Sequence, residues 1–416
     1  MRVLVVGTGG REHALALSLS RDPAVTEVHA APGNPGIGEV ATLHPVDLMD
    51  GDAVTALATS IGADLVVVGP EAPLVAVVAD AVRDAGIAVF GPSRAAALLE
   101  GSKTFSKEVM AAAGVPTAGS RTCTTPEEVA AALDAFGAPY VVKDDALAAG
   151  KGVVVTTDRA EALAHAAGCD RVVVEEFLDG PEFSLFVVCD GTVGRPLLPA
   201  QDFKRIFDGG EGPNTGGMGA YTPLPWAPGG LVEEVLETVL QPTVDEMRRR
   251  GTPFAGLLYA GLALTSAGVK VVEFNARFGD PETQPLLALL DSPLGSLLHA
   301  AATGTLADEP APTWKPGGAV GVVMAAAGYP GEVRTGDSIG GLYGERSLEQ
   351  LDGVEVIQAG TAMSDDGQHL LTAGGRVLCV TAVGDSIKDA RTKAYAGVER
   401  IQFDGAQWRS DIAADI

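Results

Sequence analysis

Short apolar runs rich in β-branched residues recur along the first hundred residues, and between them apolar positions fall at helical spacing. Runs 2–6 (RVLVV), 25–31 (VTEVHAA), 63–69 (ADLVVVG) and 86–90 (GIAVF) are bounded by Gly or Pro and predict buried strands. Segments 11–21 (REHALALSLSR), 52–62 (DAVTALATSIG) and 74–86 (LVAVVADAVRDAG) predict the helices between them. Regular alternation of this kind predicts an α/β fold, with an N-terminal βα domain around a parallel sheet. In that architecture ligands bind outside the carboxyl ends of the strands. The loops there are 7–12 (GTGGRE), 31–36 (APGNPG) and 69–73 (GPEAP).

A second section starts near Ser102. Its pattern predicts a helix over 102–114, strands over 139–143, 150–156, 171–178, 182–188 and 195–203, and a helix over 158–168. A polar Gly-rich loop follows over 207–225, then one helix over 231–251 and a hairpin of 257–264 with 269–275. The Pro-rich stretch 307–318 reads as a linker. Beyond it, apolar runs near 319–328, 354–360, 369–375 and 376–384 predict a small antiparallel α+β domain. The expected division is 1–101, 102–306 with a lid subdomain over about 116–178, the linker, and 319–416.

Composition narrows the function class. The 416 residues suffice for several cored domains. A net charge of −25 argues against general affinity for nucleic acid or anionic membrane. Anionic small-molecule substrates remain compatible if donors are concentrated locally. Cys123, Cys169, Cys189 and Cys379 form no CxxC pair, which argues against zinc and disulfide scaffolds and fits a reducing cytoplasm. No secretory h-region is present after MRVLVV. The uncharged stretch 251–269 is too interrupted by Gly and Pro for a spanning helix; two strands joined by Thr265-Ser266-Ala267-Gly268 fit it better.

Four loops carry candidate chemistry. Gly7-Thr8-Gly9-Gly10 opens a helix, where backbone donors suit a phosphate. Glu12 stands where a dinucleotide fingerprint needs its third glycine, which disfavours a nicotinamide cofactor. Lys143 and Lys151 flank a small-residue turn, with Gly150 and Gly152 beside the second lysine; the spacing is not a Walker A loop. Glu175-Glu176-Phe177-Leu178, followed by Glu182, ends a strand in a way that suits an adenine edge and ribose hydroxyls. On an extended strand, Glu273, Asn275 and Arg277 share one face. A carboxylate, an amide oxygen and a guanidinium side by side suit a divalent metal and a polyphosphate. Asp280-Pro281-Glu282 reads as a helix N-cap, N1 proline and first-turn acid.

Together these strings, with 213–221 (PNTGGMGAY) and 273–284 (EFNARFGDPETQ), resemble the phosphoribosylamine–glycine ligase (glycinamide ribonucleotide synthetase) family of ATP-grasp enzymes in purine biosynthesis. The resemblance runs in order from residue 1 to about 383. It implies a central ATP-grasp domain and a ligase that joins glycine to 5-phosphoribosylamine through a glycyl phosphate, with ATP and Mg²⁺ or Mn²⁺. Lys103, Lys143, Gly150, Lys151 and Gly152 then correspond to nucleotide contacts, Glu175 to Leu178 to the adenine hinge, and Glu182 to the ribose acceptor. Glu273 and Asn275 correspond to metal ligands, with Arg277 at the reaction centre beside Asp202 and Lys204. Gly9, Gly10, Asn34, Gly36 and Glu71 correspond to the phosphoribosylamine pocket. Asn214, Thr215, Gly216, Gly217, Met218 and Gly219 correspond to the glycine and acyl-phosphate region.

The chain departs from the family pattern at Asp144, Ala146, Phe203 and Ala276, and only 16 residues separate Val155 from Val172, a short lid segment. The rival readings are another ATP-grasp ligase, a nicotinamide-dependent oxidoreductase and a non-catalytic sugar-phosphate binder. Expected partners are small molecules only, with a monomer or weak homo-oligomer. Arg277→Ala is expected to lower turnover by orders of magnitude with little loss of folding stability.

Overall fold

The computed structural model describes residues 1–145, 152–343 and 351–416. In the N-terminal section the elements are β1 (Arg2–Gly7), α1 (Gly10–Ser20), β2 (Glu27–Pro32), β3 (Thr42–Leu43), α2 (Gly51–Ile61) and β4 (Leu65–Val68). They continue with α3 (Glu71–Val75), α4 (Val78–Asp84), β5 (Ala88–Phe90) and α5 (Arg94–Gly101). The strands form a parallel sheet in the order β3-β2-β1-β4-β5, as the alternation predicts. Val3 to Val6 and Leu65 to Val68 are buried on both faces, hence their unbroken apolar character.

The single helix expected over 74–86 is instead two, α3 and α4, because Val77 between them takes a left-handed backbone with φ 73°. The break lets α4 pack against the start of α2, where Gly51 lies close to Ala81.

The central section holds α6 (Lys103–Ala113), β6 (Ser120–Cys123), α7 (Pro126–Phe136), β7 (Tyr140–Asp144), β8 (Val153–Thr156), α8 (Arg159–Ala167) and β9 (Val172–Glu175). Strands β6-β9-β7-β8 make an antiparallel sheet with its own small core, including Cys123, Leu133, Val142, Ala162 and Val174. Next come β10 (Glu182–Asp190), β11 (Gly194–Pro196), β12 (Gln201–Asp202), β13 (Arg205–Phe207), β14 (Glu211–Asn214) and β15 (Gly219–Thr222). The strand expected over 195–203 is thus divided into β11 and β12. The helix expected over 231–251 is divided too, into α9 (Leu231–Val235), a π-helical stretch Leu236–Leu240 and α10 (Gln241–Arg249). Pro242 lacks the N–H that a regular ladder would need, and the wider turn precedes it. Strands β16 (Ala255–Thr265) and β17 (Gly268–Asn275) form the expected hairpin, in a sheet ordered β11-β10-β16-β17. Helices α11 (Thr283–Leu289) and α12 (Leu294–Thr303) follow.

The last section contains β18 (Gly318–Ala325), β19 (Val354–Gln358), β20 (Thr361–Met363), β21 (Leu370–Thr372), β22 (Arg376–Gly384) and α13 (Ile387–Val398). Its sheet is ordered β12-β15-β18-β22-β19 and so takes two strands from the central section. Residues 219–222, expected within a loop, therefore form a fully buried strand paired with β18. Gly219 permits this: a Cβ there would lie 2.6 Å from the carbonyl oxygen of Gly321. Among the described residues no helix is long and apolar enough to cross a membrane.

A β-branched residue in the left-handed region costs about 1–2 kcal/mol. Val77 is 40 % exposed, so little burial is lost on truncation. Val77→Gly is expected to stabilise the fold by about 0.5–1 kcal/mol after the glycine's entropy cost, read as a higher urea midpoint.

Candidate active site

Strand β17 ends at Asn275, yet the alternation of sides continues beyond it. Phe274, Ala276 and Phe278 are buried, whereas Glu273, Asn275 and Arg277 are half-buried, as the shared-face reading expects. A lysine cluster from α6 and β7 meets this strand. Lys143 Nζ donates to the Val272 carbonyl (2.9 Å) and pairs with Glu175 Oε2 (2.8 Å). Lys107 Nζ pairs with Glu175 Oε1 (3.1 Å) and donates to Thr117 Oγ1 and the Ala118 carbonyl. Burial opposes ionisation of Glu273, but Lys103, Lys143, Lys204 and Arg277 together hold its carboxyl below the usual range. A cavity of about 20 Å³ lies among Lys103, Ser106, Lys107, Lys143, Glu175 and Glu273. The buried Ser106 hydroxyl has no partner among the described residues.

The acidic side of the site is built on β10, β12 and β16. Lys204 Nζ pairs with Glu182 (2.5 Å) and lies 3.9 Å from Asp202. Burial lifts the Asp202 carboxyl to about 7, with Lys204 opposing the rise and Glu282 and Glu182 adding to it. Burial opposes the charge on Lys204, but Asp202, Glu182 and Glu273 outweigh it and keep the ammonium protonated. Glu282 is buried and accepts from Tyr259 OH (2.7 Å) and Ser184 Oγ (3.4 Å).

Asp280 and Glu282 thus differ from the expected cap. Helix α11 begins only at Thr283, whose Oγ1 donates to the Gly279 carbonyl (2.6 Å). Asp280 Oδ2 accepts from Arg11 N–H (3.2 Å), and its Oδ1 accepts from Gln284 Nε2 (3.0 Å) and faces Arg376 Nη2 (3.4 Å). Its carboxylate is taken up by the first turn of α1, by the Gln284 amide and by Arg376, so it does not cap α11.

Arg277 reaches away from β17 towards the N-terminal section. Its Nε pairs with Glu71 (3.2 Å), its Nη2 with Glu100 (3.1 Å), and its Nη1 donates to the Phe278 carbonyl (3.3 Å). Burial raises the Glu100 carboxyl, Arg277 opposes this, and Glu71 adds to the rise. Removing Arg277 would strand these carboxylates, so Arg277→Ala is expected to cost folding stability as well as turnover, against the expectation from sequence.

The N-terminal loop is engaged by protein carboxylates. Gly9 N–H donates to Glu12 Oε2 (2.6 Å), Gly10 opens α1, and Arg11 spans from Glu12 Oε1 (2.6 Å) to the Phe278 carbonyl (2.8 Å). The donors read as a phosphate cradle are therefore partly occupied by Glu12 and Asp280. Asn34 is buried, and its amide is fully used: Nδ2 donates to the carbonyls of Thr8 (2.7 Å) and Gln358 (3.0 Å), while Oδ1 accepts from Ile37 N–H (2.9 Å). Gly36 lies against His13 and Gln358. The His13 ring accepts the Gln358 N–H (2.8 Å), and burial pushes its pKa down to about 4.

The 214–219 run closes the seam to the last section. Thr215 N–H and Oγ1 both donate to the Lys204 carbonyl (2.8 Å each), Gly216 N–H donates to Tyr329 OH (2.9 Å), and Met218 N–H donates to the Phe203 carbonyl (2.8 Å). Arg376 Nη1 donates to the carbonyls of Gly216 (2.5 Å) and Asp280 (2.6 Å). Gly217, at φ 112°, packs on Pro281. Phe203 stacks under the Arg409 guanidinium at 5.1 Å.

At the other end, the chain leaves its sheet after Glu175, and Phe177 is 46 % exposed. Glu176 N–H donates to the Gly119 carbonyl (2.8 Å). Gly150 and Lys151 lie outside the described residues; Gly152 is placed, its carbonyl accepting from Asp144 N–H (2.7 Å).

The structure therefore gathers Lys103, Lys143, Glu175, Glu182, Asp202, Lys204, Glu273, Asn275 and Arg277 around one region, and uses Asn34 for internal pairing. Sequence reasoning missed Lys107, Glu100, Tyr259, Arg11 and Arg376, and read Glu282 only as the acid of a helix start. Only Lys107 had a local signal, lying one helical turn after Lys103. Lys107→Met leaves the buried Glu175 with a single cation and is expected to cost about 2–3 kcal/mol of stability, measured by urea unfolding.

Three family models cover most of the chain: the phosphoribosylglycinamide synthetase N domain over 1–100, its ATP-grasp (A) domain over 101–283 and its C domain over 319–415. A phosphoribosylamine–glycine ligase of Streptomyces coelicolor is 67 % identical over 414 residues, covering 100 % of this chain and 99 % of that protein. One from Mycobacterium tuberculosis (strain H37Rv) is 54 % identical over 99 % of this chain and 97 % of its own. A crystal structure of the Thermotoga maritima phosphoribosylamine–glycine ligase superposes with TM-score 0.85 at 33 % identity, over 99 % of this chain and 100 % of that one. A biotin carboxylase domain from Hydrogenobacter thermophilus, 17 % identical with TM-score 0.73 over 98 % of this chain and 91 % of that one, shares the fold. In sequence and in three dimensions, this chain belongs to the phosphoribosylglycinamide synthetase family and carries its ATP-grasp domain.

Proposed function

We propose that this chain joins glycine to 5-phosphoribosylamine with ATP, giving glycinamide ribonucleotide, ADP and phosphate. The observation that carries this reading is the shared face of Glu273, Asn275 and Arg277, with four basic side chains holding Glu273 ionised. A carboxylate is a poor acylating agent, so the glycine oxygen first takes the terminal phosphoryl group of ATP and ADP leaves. The ribosylamine nitrogen then attacks the glycyl carbonyl and phosphate departs. Both steps depend on positioning and charge neutralisation, which suits a site without a nucleophilic triad.

ATP-grasp enzymes generally use ATP with a divalent metal. Glu273 and Asn275 offer two hard oxygen ligands from one strand face, a sparse set that fits Mg²⁺ or Mn²⁺ completed by substrate oxygens and water. When bound there, the ion neutralises charge on the polyphosphate. Lys143, held by Glu175 and Val272, and Lys103, which has no hydrogen bond or ion pair among the described residues, are the phosphate contacts, joined by Lys151 with Gly150 and Gly152. The Glu175 carboxylate fixes Lys143 and Lys107, which leaves the backbone of Glu176 to Leu178 for adenine. Glu182 takes the ribose, and Asp202 and Lys204 receive the ammonium and carboxylate of glycine beside 214–219. Glu71 and the turns at Gly9, Gly10 and Gly36 line the phosphoribosylamine side, with Asn34 holding their backbone. The reading places the chain in the cytoplasm, acting on small molecules.

ADP release measured with glycine alone, phosphoribosylamine alone and both together is expected to be full only with both; full release without either overturns the ligase reading. Arg277→Lys keeps the charge but loses the fork to Glu71 and Glu100, and should lower turnover by about 100-fold. Asp202 titrates near 7, with its charged form present above that pH. Glycine KM should therefore rise as pH falls through about 7, and Asp202→Asn should give a raised KM that no longer follows this pH step.

A further inference from the structure

The segment after α13 returns to the Asp202–Lys204 side of the site. Arg409 is 3 % exposed, and all three nitrogens of its guanidinium are engaged. Nε and Nη2 form a fork on the two carboxylate oxygens of Asp411 (2.7 and 2.6 Å). Nη1 donates to the Arg205 carbonyl (3.2 Å), and the group lies over the Phe203 ring. Asp411 Oδ2 also accepts from the Gly209 N–H (2.8 Å). Ser410 N–H donates to Asp208 Oδ1 (2.8 Å), and the Ser410 hydroxyl bonds the other oxygen of that carboxylate. Residues 409–411 thus form a clip along residues 203–209.

The clip is anchored on α13. Tyr395 OH donates to the Arg409 carbonyl (2.7 Å) and accepts from the Ile412 N–H (3.1 Å). Arg391 donates to the carbonyls of Ser410 (2.7 Å) and Ile412 (2.9 Å). A buried guanidinium so engaged is held stiffly, because losing any partner leaves a buried donor unpaired. What the clip holds is the backbone between Asp202 and Lys204. Phe203 N–H donates to the Gly219 carbonyl (3.0 Å), and the Phe203 carbonyl accepts from Met218. The Phe203 ring lies 6.2 Å from that of Tyr221 as well as under Arg409. The chain that aims Asp202 and Lys204 is therefore fixed by the 215–219 run and by Arg409.

We propose that Arg409 is a positioning residue for glycine: through the Phe203 ring and the Arg205 carbonyl it sets the placement of Asp202 and Lys204. It acts through these residues and not by contact with a substrate. The last section of the chain, far from the nucleotide lysines in sequence, thereby tunes one substrate subsite and leaves the others alone. The proposal rests on the reading of Asp202 and Lys204 as the glycine contacts.

Steady-state ADP release by the full chain, with each substrate varied in turn, tests it. Arg409→Lys keeps a positive charge beside Asp411 but cannot reach Asp411, the Arg205 carbonyl and the Phe203 face at once. Its glycine KM is expected to rise about tenfold, with KM for ATP and for phosphoribosylamine within about twofold of the unaltered chain. Asp411→Asn weakens the fork from a side chain that is 28 % exposed, and should raise glycine KM about threefold. If Arg409→Lys fails to fold, Asp411→Asn decides. A glycine KM unmoved by these substitutions overturns the proposal alone, as does a rise of all three KM values together. ADP release by the unaltered chain that does not depend on glycine overturns the ligase reading, and the proposal with it.

Discussion

The carboxylate of Asp280 joins parts of the chain that are hundreds of residues apart. Arg11 N–H from the start of α1, Gln284 from α11 and Arg376 from β22 all converge on it. A half-buried charge in such a place is tolerable only when its partners are all present. The adjacent carbonyls of Phe278 and Asp280 accept from Arg11 and Arg376 as well. The segment leaving β17 is thereby gripped from both sides, and the orientation of Glu273, Asn275 and Arg277 follows from that grip.

Charge within the site is arranged in nearly balanced groups. Glu175 sits between Lys107 and Lys143, Lys204 between Glu182 and Asp202, and Arg277 between Glu71 and Glu100. In each of these three groups the ions are paired, which is how a chain of net charge −25 keeps basic groups in place for anionic substrates. Overall charge and local phosphate affinity are separate quantities, because buried pairs act over a few ångströms while the surface field is screened by salt.

Much of this was legible in the residue pattern. The buried βα strands, the hairpin of β16 and β17, and the alternation that places Glu273, Asn275 and Arg277 on one face follow from local periodicity. The motif strings led to the family before any coordinate. Local reasoning went astray where a distant partner decided. Val77 ends a helix that its apolar spacing would continue, and Gly219 to Thr222 become a strand only because β18 lies beside them. Asp280 and Glu282 look like an ordinary helix start until Arg376 and Tyr259 are brought to them.

By itself, then, the sequence determined most of the regular elements, the family and the face of β17 that carries the chemistry, since side-chain period and motif order are properties of neighbouring residues. The tertiary structure alone decided that Asn34 serves internal pairing, that Glu175 is a clamp for two lysines, and that Arg277 is held by Glu71 and Glu100. Those assignments depend on which charges share a buried space. No spacing along the chain encodes that, because the partners meet only after the three sections have packed together.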